Sequence, residues 1–189
     1  MQELVELFEV HDVHSSPARF DMKKLEAING DKIRALSPEE FLKRALPFLT
    51  DANVITGTDA EIELVKAALP IIQERIVKLD EIPSMLKFLF VKEFAVEADS
   101  KEKIKDDQSK EVLKRALQVL EPLTTWNHES IESVLRTALI EEMGLKPRIA
   151  FGAVRIAATG SHISPPLFES MELLGKEASL SRITAAISL

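Results

Sequence analysis

The residues best placed for chemistry lie in one C-terminal block. It runs Gly152-Ala153-Val154-Arg155-Ile156-Ala157-Ala158-Thr159-Gly160, then Ser161-His162-Ile163-Ser164-Pro165-Pro166-Leu167-Phe168. One arginine stands inside an apolar helical pattern, a glycine stops that pattern, and a Ser-Pro-Pro sequence restarts the next helix. A guanidinium beside a helix-to-helix turn offers a fixed fork of donors that suits the acceptor edge of an unpaired base. Ser164 reads as the cap of the following helix, with prolines behind it. The free N–H groups of that helix start could serve a ligand as well.

Other constellations are poor. There is no Cys, no G-x-S-x-G elbow and no serine with an evident His and Asp partner, which argues against a nucleophilic hydrolase. Six glycines, none clustered, leave no phosphate-cradling loop. His11 and His14 are three positions apart in a loop, but no acidic pattern completes a metal site, so none is expected. The pairs Glu141-Glu142 and Asp106-Asp107 read as solvated charge on helical faces. No catalytic residue is expected anywhere in the chain.

These residues must be positioned by helices. Nearly every segment carries helical apolar spacing and none alternates as a strand does, so the fold class is all-α. Asp21 caps a first long helix, with Phe20 stapled onto Leu25. Ser37-Pro38-Glu39-Glu40 starts the next, with Glu40 expected to reach back to the cap. Over 60–79 the stripe is Val65, Ala68, Leu69, Ile72 and Ile76, with a kink or break expected at Pro70. Pro83 precedes a short helix through Phe88 and Phe90. Residues 97–110 are charged and poor in large apolar groups, which makes them the best candidate boundary. Beyond them come a helix ending near Pro122, one starting at Asn127 and stopped by Gly144, and three more over 147–159, 164–174 and 179–187.

Charge narrows the partners. The formal net charge of −7 opposes a surface that attracts nucleic acid everywhere. From Lys146 onward, though, Lys146, Arg148, Arg155, Lys176 and Arg182 face Glu169, Glu172 and Glu177, a local balance of +2. A phosphate-bearing partner would meet this end. No apolar run nears the ~20 residues of a membrane span, and no leader is apparent. The chain reads as cytoplasmic, without a membrane partner. Tyrosine is absent, so base stacking would fall to phenylalanine, Trp126 or aliphatic groups.

The order of residues resembles the C-terminal, anticodon-binding region of bacterial glutamyl-tRNA synthetases (glutamate–tRNA ligases). The resemblance spans almost the full chain. It rests on Ser15-Ser16-Pro17-Ala18-Arg19-Phe20-Asp21-Met22-Lys23-Lys24-Leu25 and on Ile82-Pro83 through Phe90. The C-terminal blocks Arg155-x-Ala-x-Thr-Gly, Ser-Pro-Pro-Leu-Phe-Glu and Leu-Leu-Gly-Lys-Glu carry it most specifically. The His-x-Gly-His and Lys-Met-Ser-Lys-like signatures of class I synthetases do not occur in this sequence. The resemblance therefore implies a non-catalytic part that binds tRNA(Glu) as a monomer. The parent enzyme would supply the catalytic domain and use ATP, Mg2+ and L-glutamate, with no cofactor in this part.

The resemblance implies two consecutive helical-bundle cages. Residues 1–96 would form the stem-contact linker and the first anticodon-binding part, and 97–189 the second. By the family pattern, Arg75 selects C at the third anticodon base and Arg155 faces the middle base. Arg136 lies within one position of a further family arginine. Ser164, Pro165 and Leu167 match positions around the first base, Ser164 bonding its edge and the other two offering apolar surface. A family glutamine is replaced by Gly152. Lys23 and Lys24 are candidate phosphate contacts. The ordinary alternatives are a carboxylate pair for Arg155, an ion pair with Glu74 for Arg75 and a plain surface role for Arg136. Class I lysyl-tRNA synthetases carry a similar cage. A different class of function, an acidic helical protein-interaction module without nucleic-acid binding, is favoured by the net charge alone.

Overall fold

The computed structural model describes residues 5–9, 11, 21–91 and 93–189. Between Met22 and Ile187 the chain is helical with no strand among the described residues. The helices are α1 (Met22–Arg34), α2 (Pro38–Asp51), α3 (Asp59–Gln73), α4 (Ile82–Leu86), α5 (Ala98–Lys101), α6 (Asp107–Leu120), α7 (His128–Arg136), α8 (Pro147–Thr159), α9 (Leu167–Leu174) and α10 (Lys176–Ile187). None is long and apolar enough to cross a membrane. His14, Phe20 and the segment 12–19 lie outside the described residues, so the Phe20 staple and the His11–His14 spacing have no structural counterpart here.

Local signals set most helix starts. Asp21 accepts from the Lys24 amide at 3.1 Å, Ser37 from Glu40 at 3.3 Å and Asn127 from Ser130 at 2.9 Å. Each satisfies one of the amides that a helix start leaves unpaired. Glu40 does not reach back to its cap, and its carboxylate turns instead to Arg44 at 3.4 Å. The reciprocal box forms one helix later. There Thr58 caps α3, and Glu61 accepts from the Thr56, Gly57 and Thr58 amides at 3.1, 2.9 and 2.9 Å. The Thr58 amide first, then the Thr56 hydroxyl and amide and the Thr58 hydroxyl, pull the Glu61 carboxyl down to about 2.

Three segments depart from their sequence periodicity. The 60–79 pattern stops being helix at Gln73, beyond Pro70, where the Arg75 and Ile76 amides both turn onto the Ile72 carbonyl at 2.9 and 3.1 Å. Ile76 still enters the core fully buried, so the stripe outlasts the helix. Arg75 therefore sits on the turn after α3. The second departure is α9, which begins at Leu167 rather than at Ser164, and Ser164 is not its cap. Pro165 and Pro166 explain this: a residue ahead of proline is driven out of the α region. The third is α10, which starts at Lys176, directly after Gly175 at φ 85°, and not at Ser179.

The buried side chains form two clusters. The first joins α1–α4 around Phe41, Leu49, Ile72, Ile76 and Leu86. The second joins α6–α10 around Leu113, Leu120, Leu135, Leu139 and Met171. Each such side chain, fully buried, contributes roughly 1.5–3 kcal/mol before entropy is charged against it. The charged stretch 97–110 folds as α5, a short 3-10 turn and the start of α6, pinned to the second cluster by the fully buried Ile104. Leu173 of α9 packs on the first cluster, and α9 touches α3, so the two cores meet along these helices. That contact sets the site.

Candidate nucleic-acid interface

Arg155 stands on α8 one turn before its glycine stop. It is half-buried, and its Nη1 donates to Ser164 Oγ at 2.9 Å and to the Pro165 carbonyl at 2.6 Å. Ser164, released from capping duty, is thus a partner of Arg155, which answers the carboxylate-pair alternative: the partners are a neutral hydroxyl and a carbonyl. Burial lowers the Arg155 pKa first, and the charge of Arg75 lowers it further, with Glu169 acting the other way. Arg75 and Arg155, 80 positions apart in the chain, therefore lie within electrostatic reach of one another.

Arg75 is exposed and makes no ion pair among the described residues, Glu74 included. Two guanidinium groups in reach of one another repel, Glu169 offsets part of that at Arg155, and an electron-rich ligand between them would remove the rest. Loose guanidinium forks suit base-edge acceptors and phosphates alike.

Arg155 also lines an open groove of about 930 Å³ along α8. Lys103, Lys146, Arg148 and His162 share that lining, against a single carboxylate, Asp106. The Asp106 carboxylate is already engaged at the start of α6, accepting from the Ser109 amide at 2.9 Å and its hydroxyl at 2.8 Å. The groove therefore presents cations at its mouth in an acidic chain. Its apolar lining includes Ile149, 41% exposed, and Phe151. A Cβ on Gly152 would meet nothing within 4 Å, so the groove is open at that point.

The remaining expected residues fall in three settings. Arg136 is exposed at the end of α7, paired with Glu132 at 2.5 Å, and its guanidinium lies 5.8 Å from the Phe151 ring. Phe151 in turn meets Phe168 edge-on at 5.2 Å, so Arg136 borders the groove through that aromatic pair. Pro165 and Leu167 are buried, Leu167 at 3% exposure, and present little open apolar surface. Their visible role is to hold the turn that carries Ser164. Lys23 and Lys24 are exposed on α1 and line no part of the groove.

Sequence reasoning passed over Lys103 and His162, which reach the groove from outside α8. It counted Lys146 and Arg148 only as charge. Their helical spacing gives no sign that the α5–α6 turn faces α8. The turn after α8 is held by close packing: a Cβ on Gly160, at φ 82°, would lie 3.0 Å from the Ala95 carbonyl oxygen. Glu97 closes the same junction, its amide donating to the Gly160 carbonyl at 2.9 Å and its carboxylate bound by Lys87 at 2.7 Å.

The chain as a whole is similar to known proteins. A family model described as an anticodon binding domain matches residues 40–187. The glutamate–tRNA ligase of Arthrobacter sp. (strain FB24) is 48% identical over 188 residues, covering 98% of this chain and 37% of that protein. The glutamate–tRNA ligase of Nocardioides sp. (strain ATCC BAA-499 / JS614) is 47% identical over 192 residues, covering 99% of this chain and 39% of that protein. The chain thus spans well under half the length of the curated relatives it matches. The crystal structure of a glutamate tRNA ligase from Elizabethkingia meningosepticum CCUG26117 shares the fold, with a TM-score of 0.74 at 23% identity over 99% of this chain and 36% of that one. With the family model matching most of its length, from residue 40 to 187, the chain belongs to the anticodon binding domain family.

Proposed function

We propose that this chain is the anticodon-binding region of a glutamate–tRNA ligase and that its ligand is the anticodon loop of tRNA(Glu). The observation that carries the reading is the placement of Arg75 and Arg155. Arg75 and Arg155, far apart in the sequence, lie within electrostatic reach of one another, and Arg155 lines a groove that four more basic side chains share. Sequence-specific RNA recognition works on splayed loop bases through edge hydrogen bonds, and flanking cations hold the backbone. Arg155 reads the middle base and Arg75 the third. Ser164 orients Arg155, and its edge contact to the first base uses the hydroxyl lone pair that Arg155 leaves free. Arg136 and Phe151 border the same surface, with Lys23 and Lys24 as remoter phosphate contacts.

Two helical units, 1–96 and 97–189, share the work in this reading, each built on its own core. Aminoacylation, with its need for ATP, Mg2+ and L-glutamate, belongs to the rest of the parent enzyme, a cytoplasmic monomer. Filter binding of the chain to tRNA(Glu) and to an unrelated tRNA across a salt series tests the proposal. The expected result is a preference for tRNA(Glu), with log affinity falling by roughly 0.7–0.9 per phosphate contacted for each tenfold rise in salt. Equal, salt-insensitive or absent binding would instead favour the protein-interaction module.

A further inference from the structure

Arg182 of α10 is 9% exposed, and no carboxylate lies within ion-pair distance of it among the described residues. Its donors go elsewhere. Nη1 donates to the Ala158 carbonyl at 2.8 Å, in the last turn of α8, and Nη2 to the Phe88 carbonyl at 2.9 Å, in the 3-10 turn that follows α4. The guanidinium also lies 4.0 Å from the centre of the Phe94 ring, on the segment 93–97 that joins the helices of the first core to those of the second. One planar cation thus touches the end of the first helical group, the connecting segment and the end of the helix that carries Arg155. Burial without a counter-charge lowers its pKa to about 10, still well above neutrality, so the group stays charged.

Burying a full charge is costly, and the structure meets that cost with carbonyl dipoles and a ring face rather than with an anion. The two carbonyls belong to different helical groups, and a guanidinium has fixed, divergent N–H directions that a flexible ammonium lacks. We propose that Arg182 is a positioning residue: it locks the first helical group against the second and so holds Arg75 and Arg155 at one separation. Its consequence for RNA rests on the anticodon reading above, whereas the lock itself does not. A fixed separation lets contact at one base pre-place the neighbouring base, an effective-concentration gain that a loose pair forfeits.

The chain contains no cysteine, so two introduced ones carry spin labels without background. Lys43→Cys on α2 and Lys114→Cys on α6 are exposed and sit on opposite cores. The distance distribution between them is measured with Arg182 intact, with R182K and with R182M. A narrow distribution is expected for the parent, a clearly broadened one for R182M at unchanged helical content, and an intermediate one for R182K. A distribution as narrow in R182M as in the parent overturns the proposal. If R182M fails to fold, R182K decides alone: broadening supports the lock, and an unchanged width overturns it.

In a second arm, the ratio of affinities for tRNA(Glu) and an unrelated tRNA should fall by about tenfold in R182M, while binding of the unrelated tRNA stays constant. A parent chain with no tRNA preference refutes the anticodon reading, and the distance measurement still judges the lock.

Discussion

Replacing Arg155 with methionine separates a reading role from a structural one, because the two lose different amounts. Arg155→Met keeps the aliphatic stem and removes both hydrogen bonds of Nη1, to Ser164 Oγ and to the Pro165 carbonyl. Bonds to a charged group are worth roughly 1.5–3 kcal/mol where they are well desolvated. This guanidinium is half-buried, pays for that burial, and is repelled by Arg75, all of which the substitution relieves. The net loss of stability is therefore about 1 kcal/mol, a fall in Tm of roughly 2–4 °C for a chain of this size. A bidentate base contact is worth roughly 1–3 kcal/mol of discrimination, which is roughly 5- to 150-fold in affinity. Filter binding at one salt concentration, with tRNA(Glu) and with the same tRNA altered at the middle anticodon base, measures it. The expected pattern is a large loss for the first and little change for the second. Unchanged affinity for tRNA(Glu), with Tm within a few degrees of the parent, would refute the assignment. An equal loss for both RNAs would reduce Arg155 to a phosphate contact.

Three further outcomes follow from the geometry. Arg75→Ala should relax discrimination between C and other bases at the third anticodon position without lowering Tm, since Arg75 is exposed and unpaired among the described residues; an unchanged preference in competition binding removes it from the reading set. The His128 imidazole, raised above its ordinary 6.5 chiefly by its 2.7 Å bond to the Glu172 carboxylate, contributes stability that is full below that ordinary value and lost as pH rises through the raised one. Glu172 is lowered by the same residue, its backbone amide first, so its contribution is lost only as pH falls through the depressed carboxyl value. His128→Gln should abolish the decline in Tm on the alkaline side, and a decline that persists would assign it to another group. Gly160→Ala should destabilise by at least ~1–2 kcal/mol, the cost of a left-handed backbone with a Cβ, because its Cβ also meets the Ala95 carbonyl oxygen at 3.0 Å; a thermal melt indistinguishable from the parent would contradict it.

Helix starts were legible in the sequence because caps act over three residues. Asp21, Ser37 and Asn127 each bond an amide three positions on, a contact that any chain with those residues can make before it folds further. The apolar stripes of α6 and α7 were legible for a similar reason, since helical periodicity alone selects the buried face. Helix ends were harder to place. Ile76 belongs to the stripe of α3 and is buried with it, yet lies past the last helical turn, because burial and backbone geometry are decided by different partners.

Competition between equally local roles was not legible either. Ser164 has the type and position of a cap, but Arg155 takes its hydroxyl, and the two prolines delay the helix to Leu167. Pro165 and Leu167 read as apolar surface for a base and proved buried, because α9 packs across both cores.

Residue types, helical periods and the absence of catalytic motifs were thus determined by the sequence itself, since each is a property of a few neighbouring residues. The electrostatic reach between Arg75 and Arg155, the entry of Lys103 into the α8 groove and the span of Arg182 between Phe88 and Ala158 were decided only by the tertiary structure. Those contacts join positions from 24 to 94 apart in the chain, counting Arg182 to Ala158 and to Phe88. The contacts between the two groups exist because separately patterned cores pack against each other through α9, and Lys103 meets α8 by packing within the second core, arrangements that no local spacing encodes.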